Sequence, residues 1–347
     1  MEKRPINVLV VEDSPVVQLL LKHVLDADPQ LHVMGTAADG CAALEFLQHD
    51  KPDVILMDVH MPKMDGFDTT RRIMETQPLP IIICSATMKR EEVSTTFRAL
   101  DAGAVAVVDK PVGPGNPGFE QMVAELIQNI KLMAEVKVVK RWGRKLRPAV
   151  QPTLAPLTTS IKLIAMGAST GGPPVLRTIL AGLPNDLPVP VLIVQHIAMG
   201  FLDGMVEWLN QSACLPVRIA RPNDAILPGC VYIGPDGFHL GVSSTGAVVL
   251  SAEPPENGLR PAVAHLFRSV ARVYGANAAG VLLTGMGCDG AAELKLMKDA
   301  GAVTIAQNAE TSVVHGMPGE AIKLGAATYV LSPEEIAVTL TTLARRR

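Results

Sequence analysis

Short apolar segments alternate with amphipathic helical patterns in the first part of the chain, and this alternation restricts the fold more than any other feature. Residues 6–11 read Ile-Asn-Val-Leu-Val-Val, an apolar run typical of a strand buried on both faces. Four similar segments follow, so the predicted strands are 6–11, 31–37, 53–57, 80–84 and 104–108 and the predicted helices are 15–27, 40–49, 66–76, 90–101 and 119–134. This pattern predicts a parallel sheet with helices on both faces.

A second alternating series begins at Ile161. Its predicted strands are 161–166, 190–195, 278–283, 302–306 and 327–331, and its predicted helices are 173–182, 201–211, 261–274, 289–299, 318–323 and 333–344. Within 216–251 a Gly-Pro-Asp-Gly hairpin signal lies among short predicted strands at 230–233, 237–241 and 247–250. We therefore predict an α/β protein with two doubly wound parallel-sheet domains, the second carrying a small antiparallel hairpin insert.

Residues 135–160 separate the two series and are predicted to link a first domain at 1–134 to a second at 161–347. Basic side chains and prolines are concentrated there, at Lys137, Lys140, Arg141, Arg144, Lys145, Arg147, Pro148, Pro152 and Pro156. Prolines at this spacing favour an extended tether. The basic run is compatible with nucleic-acid contact, but a solvated linker is the preferred interpretation.

Composition excludes several classes of protein. A net charge of −3 over 347 residues gives no general attraction to nucleic acid or membranes. The five cysteines include no Cys-x-x-Cys pair, so neither a zinc site nor a disulfide framework is expected. The first residues do not resemble a signal peptide, and no apolar run reaches the ~18 residues that span a bilayer. We expect a soluble cytoplasmic protein without nucleic-acid partners or membrane insertion.

Charged and hydroxyl side chains stand at the ends of four strands in the first series. These are Glu12 and Asp13 after the first strand, Asp58 after the third, Ser85 after the fourth and Lys110 after the fifth. The carboxyl ends of parallel strands meet at one edge, where ligands bind. Three carboxylates there need a cation, and Mg²⁺ suits a site with few carboxylates and phosphate oxygens. A lysine and a serine hydroxyl can pair with a phosphoryl group.

This arrangement resembles the response-regulator receiver domain over about residues 5–134. The stretch 57–66, Met-Asp-Val-His-Met-Pro-Lys-Met-Asp-Gly, is similar to a loop of that family. The resemblance implies a flavodoxin-like fold. The functional residues that it implies are the phospho-acceptor Asp58, the Mg²⁺ ligands Glu12, Asp13 and Asp58, and the switch residues Ser85 and Lys110.

The second series places a serine on a predicted strand-to-helix turn. Ser169 lies in Gly-Ala-Ser-Thr-Gly, directly after an apolar run, and the glycines allow the tight turn that presents a nucleophilic hydroxyl. Such a serine needs a base and an orienting carboxylate. His196 and Asp289 each follow another predicted strand, so all three residues are expected at one sheet edge. The order Ser, His, Asp excludes the α/β-hydrolase fold, whose order is Ser, Asp, His.

Other histidines are further candidates for the base. They are His239, His265 and His315, which rank lower because none immediately follows an apolar strand of the central type.

Residues 285–290 also spell Gly-x-Gly-x-x-Gly, the dinucleotide fingerprint. That function requires an acidic residue at the end of the next strand, to hold a ribose hydroxyl. The predicted strand ends in Gln307-Asn308, and Glu310 lies past it. Cofactor binding is therefore the weaker interpretation of this loop.

The segment 161–345 closely resembles the catalytic domain of the chemotaxis protein-glutamate methylesterases, the CheB family. The matching motifs are Gly-Ala-Ser-Thr-Gly-Gly at 167–172, Gln195-His196, Arg260-Pro261, Leu-Phe-Arg-Ser-Val-Ala at 266–271, Thr-Gly-Met-Gly-Cys-Asp-Gly-Ala at 284–291, and the stretch from Ala306-Gln307 to Gly-Met-Pro at 316–318. The resemblance implies a Rossmann-like domain. The site that it implies consists of the nucleophile Ser169, the base His196, the orienting Asp289 and an oxyanion hole of the Thr170 and Met286 backbone amides.

The activity implied by the resemblance is hydrolysis of glutamate γ-methyl esters, with deamidation of certain glutamines, on methyl-accepting chemoreceptors. No cofactor is implied for that step, and the implied phosphoryl donor is a CheA-type histidine kinase. We expect the receiver to mask the esterase groove until Asp58 is phosphorylated. His315 and the pair Ile197-Ala198 depart from the family's usual residues, which leaves substrate choice open. The alternative is a receiver joined to a nucleotide- or DNA-binding output domain.

Overall fold

The computed structural model of the chain describes residues 4–85, 97, 99–116, 118–136 and 160–345. The chain divides into two compact units, Met1–Lys145 and Leu146–Arg347. Residues 137–159 of the predicted linker lie outside the described residues, so the limits of the linker and of the two domains stay predictions. Most of the predicted helix 90–101 also lies outside them, although residues 99–102 at its end are helical.

The first unit is built on one parallel sheet, as predicted. Its strands are β1 (Ile6–Val11), β2 (Leu31–Ala37), β3 (Val54–Met57), β4 (Ile81–Ser85) and β5 (Ala106–Asp109), and the helices with described bounds are α1 (Pro15–Asp26), α2 (Gly40–His49), α3 (Gly66–Thr76) and α4 (Phe119–Met133). The strand order is β2-β1-β3-β4-β5, and every pairing is parallel. The order reverses between β1 and β3, so a crevice opens beyond their carboxyl ends.

Local sequence explains where the helices of this unit begin. Ser14, Asp39 and Asp65 precede α1, α2 and α3, and each side chain accepts a backbone amide of the first turn. Such caps satisfy amides that have no partner within the helix. The four residues of β3 are all buried, because helices cover both faces of the sheet.

The second unit has a larger parallel sheet. Its strands are β6 (Leu163–Ala168), β7 (Val191–Gln195), β8 (Val217–Ile219), β9 (Val231–Ile233), β12 (Ala278–Leu282), β13 (Val303–Gln307) and β14 (Tyr329–Leu331), while β10 (His239–Val242) and β11 (Val248–Ser251) pair separately. The helices are α5 (Gly172–Gly182), α6 (Leu202–Asn210), α7 (Val263–Tyr274), α8 (Ala291–Asp299), α9 (Met317–Lys323) and α10 (Pro333–Arg345). The strand order of the main sheet is β14-β13-β12-β6-β7-β9-β8.

The antiparallel insert is smaller than predicted. Only β10 and β11 form an antiparallel pair, whereas β9 pairs in parallel with β7 and with β8. The sequence interpretation placed 230–233 in the insert and assigned no strand at 217–219. Both segments instead extend the main sheet, because their backbone groups find partners at its edge beside β7.

The main sheet also has a point where its strand order reverses. The first strand, β6, is central, with β7 on one side and β12 on the other. The loops after these three strands therefore emerge at a common edge, which is where open α/β sheets bind ligands. Among the described helices, none combines the length and the apolar character that crossing a membrane requires.

Candidate active site and phosphorylation site

Ser169 and His196 follow the ends of two adjacent strands. The last residues of β6 and β7, Ala168 and Gln195, pair in register, and the His196 amide donates to the Ala168 carbonyl over 3.0 Å. Neighbouring strands lie about 4.8 Å apart, so the two predicted residues stand side by side. Both residues remain partly accessible to solvent. Within the described residues no hydrogen bond joins the Ser169 hydroxyl to the imidazole.

The turn after β6 takes the predicted strand-to-helix form. Gly171, just before α5, has φ of 77°, which lies in the left-handed region that glycine adopts without steric cost. The Ser169 amide donates to Thr284 O over 3.0 Å, and the Ser169 carbonyl accepts the Gly172 amide over 2.8 Å. The backbone of Ser169 is therefore held on both sides by hydrogen bonds.

Asp289 joins these two residues from the loop after β12. Its Oδ2 lies 3.0 Å from Nε2 of His196, and both side chains are almost fully buried. The two atoms lie within ion-pair distance, but the angle between them does not suit a hydrogen bond. Catalytic contacts are often misaligned in unliganded sites and tighten on substrate binding.

The same carboxylate caps a helix that is distant in sequence. The Val263 amide donates to Oδ2 over 2.7 Å, and the Ala264 amide donates to Oδ1 over 3.0 Å, at the start of α7. Burial opposes ionisation of Asp289, but His196 and the two amides outweigh it and hold its pKa below the usual value. The carboxylate is thereby kept charged and fixed toward the imidazole.

Two buried side chains hold the loop that carries Asp289. The Thr284 hydroxyl donates to the Thr170 carbonyl over 3.0 Å and accepts the Val314 amide over 3.0 Å. The Thr284 amide donates to Oε1 of Gln307 over 2.8 Å, and Nε2 of Gln307 donates to Thr311 O over 2.9 Å. These contacts connect the loops after β6, β12 and β13.

The backbone amides predicted to form the oxyanion hole are free to bind a ligand. Within the described residues neither the Thr170 amide nor the Met286 amide donates to a protein acceptor. Gly285, which precedes Met286, lies so close to Ser169 that a methyl group on its Cα would stand 2.7 Å from Ser169 Cβ. The two donors thus belong to loops that meet at the serine.

The other candidate histidines have different environments. His239 is fully buried, accepts the Ala262 amide at Nδ1 over 3.2 Å, and lies 3.1 Å from the Pro254 carbonyl at Nε2. Both its ring nitrogens are therefore engaged. His265 stacks on His239 and faces Glu256. The backbone of His315 forms an isolated β-bridge with Gly285. Its ring faces another residue, because Nδ1 lies 3.3 Å from the Ser312 hydroxyl.

The loop at 285–290 lacks the partner that dinucleotide binding requires. The strand that follows, β13, ends in Gln307, which is fully buried and bonded to Thr284 and Thr311. Gly285 packs against Ser169, and Gly290, with φ of 80°, begins α8 against Val263. Gly285 and Gly290 therefore serve close packing, and Gly285 packs on the serine itself.

The first unit brings its predicted residues together as well. Glu12, Asp13 and Asp58 each offer a carboxylate oxygen, and these oxygens lie within 4.8 Å of one another. Nζ of Lys110 lies 2.8 Å from Glu12 Oε2 and 3.1 Å from Asp58 Oδ1. Ser85 is buried at the end of β4, and its carbonyl accepts the Lys110 amide over 2.9 Å. All five side chains thus lie at one edge of the sheet.

Electrostatics show what this cluster could hold. Burial raises the pKa of Asp58 and that of Glu12, although Lys110 opposes the shift in both. Burial opposes the charge of Lys110, but its contacts with the two carboxylates raise its pKa. Since one lysine does not fully offset three carboxylates, a divalent cation with oxygen ligands fits this site.

Comparison with known proteins shows the family of the chain. A family model described as CheB methylesterase matches residues 164–340. The chain belongs to the CheB methylesterase family. A model described as response regulator receiver domain matches residues 8–116. These matches support the esterase interpretation and not the nucleotide- or DNA-binding alternative.

CheB-family relatives match over nearly the whole chain. A Geobacter metallireducens protein named protein-glutamate methylesterase/protein-glutamine glutaminase 4 is 54% identical over 99% of this chain and 100% of its own length. A Nitrosospira multiformis protein named protein-glutamate methylesterase/protein-glutamine glutaminase is 52% identical over 99% of this chain and 98% of its own length. The crystal structure of the Thermotoga maritima CheB methylesterase catalytic domain has 38% identity and a TM-score of 0.51, and it covers 53% of this chain and 100% of that domain.

Three buried polar residues around the serine were not singled out from the sequence as site residues. They are Gln195, Thr284 and Gln307. Gln195 and Gln307 are the last residues of β7 and β13, and Thr284 lies two residues after β12. A polar residue in such a position is the local signal that could have identified each of them.

Proposed function

We propose that this chain is a protein-glutamate methylesterase and protein-glutamine glutaminase whose activity is controlled by phosphorylation. The observation that carries this proposal is the convergence of Ser169 and His196 at paired strand ends, with Asp289 at 3.0 Å from the imidazole. The names of full-length relatives supply the reaction and the kind of substrate. We infer that the substrates are methylated glutamates, and certain glutamines, on chemoreceptors.

The residues divide the reaction between them. The Ser169 hydroxyl attacks the ester carbonyl, and its proton passes to His196. Because Nε2 of His196 faces Asp289, the nitrogen that takes the proton is Nδ1. The charged carboxylate stabilises the imidazolium that forms, and the amides of Thr170 and Met286 bind the oxyanion. Methanol then leaves with the proton from His196, and water hydrolyses the acyl-enzyme in a second step.

The proposal is tested by methanol release from a methylated chemoreceptor. Ser169→Ala is expected to lower the rate by at least about 10³-fold, because the nucleophile is lost. Ser243→Ala, on the turn between β10 and β11, is the matched control and should retain the wild-type rate. Release by Ser169→Ala close to that of the wild type would contradict the assignment.

Phosphorylation at Asp58 is the proposed control. The residues that would hold Mg²⁺ are Glu12, Asp13 and Asp58, and the metal would supply charge neutralisation during phosphoryl transfer. Lys110 already lies 3.1 Å from Asp58 and can pair with the phosphoryl group. A CheA-type histidine kinase is the proposed donor. A small phosphodonor with Mg²⁺ should raise methanol release by the wild type and leave Asp58→Asn unchanged, and equal stimulation of both would contradict this control.

A further inference from the structure

Gln195 is a buried polar residue at the centre of the candidate active site. It is the last residue of β7, it pairs with Ala168 at the end of β6, and the residue is only 2% exposed. Burying an amide is unfavourable unless its polar atoms find partners. The contacts of this side chain therefore need an explanation.

The amide nitrogen of Gln195 bridges the two residues that carry the proposed chemistry. Nε2 donates to the Ser169 carbonyl over 2.8 Å and to the His196 carbonyl over 2.7 Å. Both of its hydrogens are thus used. Because both acceptors are carbonyls, turning the amide over would place oxygen against oxygen, so the orientation is determined by its partners.

The oxygen of the same amide makes no such contact. Oε1 of Gln195 is buried and has no hydrogen-bond partner within the described residues. It packs against Gly172, where a methyl group on Cα would clash with it. An unpaired buried oxygen costs free energy, and a side chain selected for stability alone would avoid that cost.

We propose that Gln195 is a positioning residue that holds the backbones of Ser169 and His196 at the separation that proton transfer requires. The proposal rests on the esterase function proposed above. The Ser169 amide already donates to Thr284 O, and the Ser169 carbonyl already accepts the Gly172 amide. Gln195 adds a second donor to that carbonyl. The same NH₂ group donates to the carbonyl of His196, so one side chain links the backbones of the nucleophile and the base. Glutamate or methionine could fill the space but could not donate to two carbonyls.

The test compares Gln195→Met with Thr304→Val in the full-length protein. Thr304 is a fair control because its buried hydroxyl also makes two backbone contacts, donating to Ala326 O over 2.6 Å and accepting the Thr328 amide over 3.1 Å. It lies near the amino end of β13, at the edge of the sheet opposite the serine. Both variants are measured for stability, for kcat and KM of methanol release, and for the rate of Ser169 labelling by a fluorophosphonate.

Gln195→Met is expected to lower kcat and the labelling rate by about 10- to 100-fold, since small misplacements of reacting groups have effects of that size. KM should stay within about twofold, because Gln195 is buried and both of its amide hydrogens are used by backbone carbonyls. Thr304→Val should retain both rates within about twofold at equal fraction folded. If the two variants lose the same activity, Gln195 has only a structural role and the proposal is wrong.

Three further outcomes keep the result interpretable. If Gln195→Met does not fold, Gln195→Leu removes both donors without introducing a charge, and the same thresholds apply. If the wild type neither releases methanol nor labels at Ser169, the esterase function itself fails. If the wild type is labelled and Ser169→Ala is not, while Gln195→Met labels as fast as the wild type, only the positioning role is overturned.

Discussion

The Asp289 carboxylate lies 3.0 Å from Nε2 of His196 and at the same time accepts the first two amides of α7. A carboxylate at the beginning of a helix is stabilised by the free amides and by the helix dipole. The orienting group of the proposed triad is therefore also the cap of a helix that supports the sheet. Changes at Asp289 are expected to affect both activity and stability.

The stability contribution of Asp289 should depend on pH. Its folded-state pKa lies below the usual 3.8, so the ionised form favours the folded state. The contribution is complete above the unfolded pKa and is lost as pH falls through the folded one. At pH 7 Asp289→Asn should be less stable than the wild type by about 1 kcal/mol, and the difference should shrink below about pH 4.

Urea unfolding followed by Trp208 fluorescence measures this difference. Trp208 is buried in the second unit, and Trp142→Phe removes the other tryptophan. A stability difference that stayed constant from pH 7 to pH 3 would contradict the electrostatic explanation.

Gly285→Ala should damage the site through steric contact. The added methyl group would lie 2.7 Å from Ser169 Cβ and would clash with Sδ of Met317. Overpacking of this kind costs about 1–3 kcal/mol, and displacement of the serine should lower fluorophosphonate labelling by at least about tenfold. Gly113→Ala is the control, because open space surrounds Gly113 and its backbone is not left-handed. Labelling of Gly285→Ala at the wild-type rate would show that the loop moves away freely.

Asp58→Asn should stabilise the first unit when Mg²⁺ is absent. Burial raises the pKa of Asp58, so the charged carboxylate disfavours the folded state at neutral pH. Removing the charge should raise the melting temperature of this unit by a few degrees, since about 1 kcal/mol corresponds to roughly 2–4 °C in a domain approaching 150 residues. The gain should shrink as pH falls toward 4, because the wild-type carboxyl then becomes neutral in the fold. Hydrogen exchange of β1 and β3 amides reports the change, and a destabilised Asp58→Asn would contradict it.

Mg²⁺ should stabilise the wild-type first unit through the carboxylate cluster. Binding to the folded state alone contributes about 2.7 kcal/mol at 100 times Kd, and hydrogen exchange of β1 and β3 amides should slow accordingly. Asp13→Ala should lose this effect without unfolding the unit, because Asp13 is exposed whereas Glu12 and Asp58 are buried. Glu45→Ala, at an exposed position on α2, should respond to Mg²⁺ as the wild type does. Equal protection of Asp13→Ala would exclude Asp13 as a ligand.

Local patterns predicted the main elements of both units closely. The predicted strand 6–11 and the predicted helices 40–49 and 66–76 coincide with β1, α2 and α3. Buried parallel strands read as continuous apolar runs, and helix starts carry recognisable caps, so both signals are local. The predicted strand 230–233 matches β9, but its parallel pairing was not predicted, because three residues do not reveal the direction of their partner. The strand β8 was not predicted, since a segment of three residues carries too weak an apolar pattern.

Local sequence patterns are enough to place the order of the elements and the strand ends at which Ser169, His196, Asp58 and Lys110 stand. The hydrogen bonds that hold those strand ends together follow from the fold. Asp289 caps a helix 26 residues earlier, Gln195 reaches back to Ser169, and Thr284 bonds the carbonyl of Thr170. The physical reason is that strand and helix patterns arise from neighbours along the chain. Buried side-chain hydrogen bonds depend on which backbone groups the folded sheet leaves without partners.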